Sequence, residues 1–125
     1  MNNKSIFVIE DYDIDYEIIK KEMEENGIIN EIKRFKNAED AIKELEKKEK
    51  PSIILLDIML PEMNGIDFLK AVKKEKLLEG IKVIVLTKKE EDKNRIDSFN
   101  LGAVGYMNKP FDINDFINIV RSNGE

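Results

Sequence analysis

The chain has 125 residues, 42% of them hydrophobic and 38% charged, with 21 Lys+Arg against 26 Asp+Glu for a formal charge of −5. This is the composition of one small, mildly acidic, soluble domain, and at this size folding buries about two-thirds of the unfolded chain's surface, enough for a core without staples. Zero Cys excludes a disulfide scaffold, and zero Cys with zero His leaves zinc, haem and iron–sulfur sites almost without ligands and removes His-based acid/base catalysis.

No apolar run reaches the ~18 residues of a membrane span. Met1 to Lys4 lead directly into Ser5-Ile6-Phe7-Val8-Ile9, with no long apolar region or small-residue cleavage site, so a cytoplasmic address and no membrane partner are expected. Basic residues are scattered among acids, which argues against a nucleic-acid footprint.

In chain order, short apolar runs alternate with helical stripes, the signature of alternating strand and helix. Ile6 to Ile9 form an unbroken aliphatic-aromatic run, expected of a strand buried on both faces of a parallel sheet. Ile14, Ile18, Ile19 and Met23 mark a first helix, ended by Asn26-Gly27. Ile32 to Phe35 alternate instead, which places the second strand at an edge. Asn37 is positioned as an N-cap for a helix whose Ala38, Ala41, Ile42 and Leu45 fall at i, i+3, i+4, i+7. Ile53 to Leu56 and Val83 to Leu86 are two further buried strands, separated by a helix marked by Phe68, Leu69 and Val72. Ile96 and Phe99 mark the fourth helix, and Val104 to Met107 a short fifth strand at the other edge. Asp112 then caps a helix carrying Ile113, Phe116, Ile117 and Val120 at the same helical spacing. Lys47 to Lys50 and Lys88 to Lys93 are mixed charge runs, read as solvated helix ends and a surface loop. No linker or repeat divides the chain, so residues 1–125 are expected to form one domain. Right-handed crossovers turn five such βα units into a doubly wound parallel α/β sheet of order 2-1-3-4-5 with helices on both faces.

Ligands of such sheets bind beyond the carboxyl ends of the strands. Those ends carry Glu10-Asp11 after the first strand, Asp57 after the third, Thr87 after the fourth and Asn108-Lys109-Pro110 after the fifth. Taken singly, each has an ordinary explanation as a loop acid, a strand-end hydroxyl or a surface lysine; Asp57 less so, because an ionised acid closing a buried run needs a cation or hydrogen bonds. Together they put three carboxylates, a hydroxyl and an ammonium around one crevice. Oxygen-only ligands select a hard divalent ion such as Mg2+. A carboxylate can also be a nucleophile that forms an acyl phosphate, and phosphoryl transfer chiefly needs positioning and positive charge, which Lys109 and the metal supply. No G-x-x-x-x-G-K-[ST] or G-x-G-x-x-G segment exists to bind a nucleotide, so the chain reads as a phosphoryl acceptor and not an ATP user.

Glu10-Asp11, the segment Asp57-Ile-Met-Leu-Pro61-Glu-Met-Asn-Gly65, Leu86-Thr87 and Lys109-Pro110-Phe111 together resemble the receiver domain of two-component response regulators, with its CheY-like, flavodoxin-like fold. The resemblance spans essentially the whole chain. It implies that Asp57 accepts a phosphoryl group from the phosphohistidine of a sensor histidine kinase, that the domain catalyses only its own phosphorylation and dephosphorylation, and that Glu10, Asp11, Asp57 and the backbone carbonyl of Met59 arrange Mg2+. It further implies that Thr87 and Lys109 contact the phosphoryl oxygens, that Tyr106 is an aromatic switch coupled to Thr87, and that the Lys109–Pro110 bond is cis, the isomer that proline makes cheap. Output is expected at the surface of the fourth helix, fifth strand and fifth helix, as a shift between pre-existing conformers toward a downstream protein. Pro61 fixes φ in the loop after Asp57, and Gly65 is read as a residue whose backbone freedom the next helix start requires.

Some positions depart from the family pattern. Glu10 replaces the commoner Asp, and its longer reach suits water-mediated metal binding. Lys88 follows Thr87 where a small residue is usual, so its side chain crowds or charges the rim. Met59 and Lys89 flank the path of a water attacking the acyl phosphate, and apolar Met59 is expected to slow self-dephosphorylation. The stretches Leu77 to Gly80 and Phe99 to Ala103 resemble stand-alone receivers partnered with phytochrome-like kinases. Only 15 residues follow Pro110, too few for an output domain, so either the protein signals by docking or the chain is one piece of something longer. Two rivals stand beside this reading: a haloacid-dehalogenase-type enzyme, which needs an acid where Met59 stands, and a receiver-like scaffold that is never phosphorylated and acts by docking. A homodimer through an edge strand or the fourth and fifth helices is an open alternative.

Overall fold

The computed structural model describes residues 4–88 and 91–124. Five strands, β1 (Ile6–Ile9), β2 (Ile32–Phe35), β3 (Ile53–Asp57), β4 (Lys82–Thr87) and β5 (Gly105–Asn108), alternate with five helices, α1 (Asp13–Glu25), α2 (Ala38–Leu45), α3 (Gly65–Lys74), α4 (Asp92–Asn100) and α5 (Ile113–Ser122). All strand pairings are parallel and the order is β2-β1-β3-β4-β5, the doubly wound arrangement expected from the alternating pattern.

Successive residues of a strand point to opposite faces, and the core divides accordingly. Phe7, Ile9, Ile54, Leu56, Val83 and Val85 face α2 and α3, whereas Ile6, Val8, Ile53, Leu55, Ile84 and Leu86 face α1 and α5. The central strands are therefore buried on both sides, which is why their sequences are continuous and not alternating. β2, only half-buried at every position, is an edge, with Phe35 tilted against Phe7 at 4.8 Å between ring centroids.

The helix ends follow local chemistry. Asn37 Oδ1 accepts the Asp40 N–H at 2.8 Å, and Asp112 Oδ1 accepts those of Asn114 at 2.8 Å and Asp115 at 3.4 Å, as their positions predicted. Asn64, not singled out by the sequence pattern, caps α3 through the Asp67 N–H at 2.9 Å. Gly27 closes α1 at φ +77°, where a side chain would be strained.

Three expectations need correction. In α1, Ile19 and Met23 are buried and Ile18 packs beside them, but Ile14, one turn before Ile18, is exposed and lies outside the core cluster. In α4, Ile96 and Phe99 are exposed and Ser98 is the one buried residue, its Oγ donating to the Asn94 carbonyl at 2.6 Å; the helix rests on its polar, small side and turns its apolar residues outward. Gly65 is needed for space and not for an unusual φ: a Cβ there would lie 2.8 Å from Ile58 Cα and 2.9 Å from the Asp57 carbonyl oxygen. The α3 start thus presses directly on the strand end that carries Asp57.

Candidate functional site

Parallel register aligns the strand ends. Ile9 pairs with Leu56, Asp57 with Leu86, and Thr87 with Asn108, so the residues that follow or close β1, β3, β4 and β5 share one rim. Glu10, Asp57 and Thr87 are all buried there, at 1%, 5% and 1% exposure. Apolar strands end in buried polar groups on this rim, and each such group needs a partner.

Lys109 supplies it. Its Nζ donates to Glu10 Oε1 at 2.5 Å, to Asp15 Oδ2 at 2.9 Å and to Asp57 Oδ2 at 3.2 Å, with its side chain only 6% exposed. The Lys109 N–H bonds the Thr87 carbonyl at 2.7 Å, and the Lys109–Pro110 peptide is cis. The other oxygen of Asp57, Oδ1, accepts the Met59 N–H at 3.0 Å, which orients the carboxylate toward the cleft. Around it lies a cleft of about 230 Å3 lined by Asp11, Tyr12, Asp15, Asp57, Met59, Lys88 and Lys109.

Acidic charge outweighs basic charge here. Glu10, Asp11 and Asp57 each offer one carboxylate oxygen, all within 4.8 Å of one another. Burial pushes the Glu10 carboxyl up to about 7, and its hydrogen bond with Asp57 pushes the same way, against the opposing pull of Lys109. Lys109 is held well above the ordinary lysine range: burial disfavours its charge, but the hydrogen bonds it donates to Asp15 and Glu10 and the nearby Asp57 charge outweigh that cost. Close-set carboxylate oxygens are a donor set that fits a hard divalent ion.

The loop that carries Glu10 and Asp11 is held from β2. Arg34 Nε donates to the Glu10 carbonyl at 3.1 Å, its guanidinium lies 4.6 Å over the Tyr16 ring, and its Nη2 meets Asp13 Oδ1 at 2.7 Å. Arg34 and then Lys36 hold the Asp13 carboxyl below the usual range.

The rim thus brings together Glu10, Asp11, Asp57, Thr87, Lys109 and Met59. Tyr106 stands apart, half-buried among the α2/α3-side core residues on β5. Lys88 is exposed at the cleft mouth, its Nζ 4.8 Å over the Tyr12 ring and 3.8 Å from Asp15 Oδ2, so it charges the rim without filling it. Lys89 lies outside the described residues. Asp15 and Arg34 are the participants that sequence reasoning missed. A clue to Asp15 existed in its place in the first turn of α1, four residues after Asp11; nothing local marked Arg34.

Fold and rim together define a doubly wound α/β domain whose chemistry sits at the carboxyl ends of its strands. The chain matches the response regulator receiver domain over residues 6–121 and belongs to that family, the receiver of two-component systems. It is similar to the alkaline phosphatase synthesis transcriptional regulatory protein PhoP of Bacillus subtilis (strain 168), 34% identical over 109 residues that cover 87% of this chain and 43% of that protein. The chain therefore spans less than half the length of that relative. Among solved structures it is similar to the bacteriophytochrome response regulator AtBRR, with a TM-score of 0.85 and 26% identity over 99% of this chain and 94% of that one. It is also similar to the Mn(2+)-bound form of response regulator Rcp1, with a TM-score of 0.77 and 26% identity over 95% of this chain and 90% of that one. Among the described residues no helix is long and apolar enough to cross a membrane.

Proposed function

We propose that this receiver accepts a phosphoryl group on Asp57 from the phosphohistidine of a sensor histidine kinase, catalyses that transfer itself with Mg2+, and passes the signal on by docking to a downstream protein in the cytoplasm. The observation that carries this reading is Lys109 Nζ at 3.2 Å from Asp57 Oδ2, beside a three-carboxylate cluster.

A carboxylate oxygen of Asp57 forms the new P–O bond as the P–N bond of phosphohistidine breaks, the electron pair staying on the imidazole nitrogen. Lys109 stays protonated throughout and donates a hydrogen bond to a phosphoryl oxygen, and the Thr87 hydroxyl gives a second. The Met59 N–H holds the nucleophile's orientation. Glu10, Asp11 and Asp57, with the Met59 carbonyl, would hold Mg2+, whose chemistry is to neutralise charge developing on the phosphoryl oxygens. The dianionic product then favours the conformer in which Thr87 and Tyr106 have moved toward the site, and this shifts the α4, β5 and α5 surface.

Incubation with Mg2+ and acetyl phosphate, read by intact mass, should add one phosphoryl group to the protein and none to Asp57→Asn or to protein in chelator. Label on Asp57→Asn would refute the site. Beryllofluoride, which mimics the acyl phosphate, should shift the amide spectrum at low concentration when Mg2+ is present. A spectrum that stayed still would favour the unphosphorylated docking scaffold.

A further inference from the structure

Lys109 has three N–H bonds and all three are taken by carboxylates: Glu10, Asp15 and Asp57. With its side chain 6% exposed, water offers it no fourth partner. On the phosphoacceptor reading, on which this inference rests, a new oxygen must enter that shell, so one carboxylate has to let go. Asp57 carries the incoming group and Glu10 belongs to the three-carboxylate cluster. Asp15 belongs to neither. It projects from α1, a different element, and its side chain is 16% exposed, so on release it can be rehydrated at small cost.

Asp15 also holds a second cation. Lys88 Nζ lies 3.8 Å from the same Asp15 Oδ2 that accepts from Lys109, while its own side chain is 65% exposed at the mouth of the cleft, over the Tyr12 ring. Release of Asp15 therefore makes two ammonium groups available at once to a dianion, and it moves a negative charge away from that dianion.

We propose that Asp15 is a positioning residue that competes with the phosphoryl group for Lys109 and keeps Lys88 in reserve at the rim. It lowers the affinity of the resting cleft for any tetrahedral anion, and the phosphoryl group must displace it.

The test is a titration of the Mg2+-saturated protein with beryllofluoride, followed by amide chemical shifts, on wild type, Asp15→Asn and Asp15→Glu, each with and without Lys88→Ala. Asp15→Asn should tighten beryllofluoride binding about tenfold, the size of one charge-assisted hydrogen bond set free. Asp15→Glu, which restores the charge, should return toward wild type. Lys88→Ala should weaken binding more in the Asp15→Asn background than in wild type, a coupling that a merely structural brace would not produce. Unchanged or weaker binding by Asp15→Asn, with normal binding by wild type, overturns this inference alone. A wild type that ignores beryllofluoride in Mg2+ overturns the phosphoacceptor reading and this inference with it.

Discussion

The two faces of the sheet and its carboxyl-end rim are built from adjacent residues of the same strands, yet they follow opposite rules. On the faces, Phe7, Phe68 and Phe116 are fully buried among aliphatic neighbours, and burial itself stabilises. On the rim, the ionisable groups of Glu10, Asp57 and Lys109 are buried together, and that arrangement stabilises little or nothing against apolar replacements. The faces hold the fold together, and the rim draws on their stability to keep charge ready for a ligand. The outward-turned Ile96 and Phe99 on α4 form a third kind of region, apolar but not part of the core.

That contrast can be broken or sharpened by substitution. The largest loss should come from a face: Phe116→Ala, at a position with no exposure, is expected to cost about 3–5 kcal/mol in denaturant unfolding through the cavity it leaves. Next is Lys109→Met, which leaves the rim carboxylates without their shared cation; roughly 3 kcal/mol should be lost in chelator, and added Mg2+ should restore part of it. If Lys109→Met proved neutral in chelator, the buried ions would not be interdependent.

A pH series separates the regions without removing any packing. Glu10 sits at about 7 in the folded protein against 4.5 ordinarily, so the native state holds a proton that the unfolded chain has lost. Stability from this group is complete below 4.5 and is lost as pH rises through about 7. In chelator, melting temperature should therefore fall across that window, and Glu10→Gln should flatten the fall. A wild-type profile as flat as that of Glu10→Gln would show that the rim charges are better solvated than their burial implies.

The smallest effects belong to exposed positions. Phe99→Ala should change unfolding free energy by less than about 0.5 kcal/mol, in contrast to Phe116→Ala, because its ring already meets solvent. Met59→Asn should leave stability alone as well, since Met59 is 69% exposed, but speed the decay of phosphorylated protein followed by intact mass. An unchanged decay rate would remove Met59 as a screen against water.

Strand positions were legible because a strand buried on both faces must be a continuous apolar run, and Ile53 to Leu56 and Val83 to Leu86 are such runs. The caps at Asn37 and Asp112 were legible because their oxygens act on N–H groups two or three residues away. α4 was not: periodicity says that Ile96 and Phe99 share a side of the helix, but only the placement of that helix against β5 and α3 decides whether the side faces in or out. Gly65 could be recognised as special, but its reason, contact with Ile58 and the Asp57 carbonyl, exists only once α3 leans on the end of β3.

The amino-acid order alone determined the element types, the doubly wound architecture and which acids, hydroxyl and lysine stand at strand ends, because each follows from period, local hydrogen bonding or the handedness of a crossover. Tertiary structure decided that Lys109 spends its three protons on Glu10, Asp15 and Asp57, that Arg34 reaches from β2 to hold the Glu10 loop, and that Lys88 leans on Tyr12 at the rim. Those are contacts between residues up to 99 positions apart, and side-chain charge falls off over a few ångströms of space, a distance that no spacing along the chain encodes.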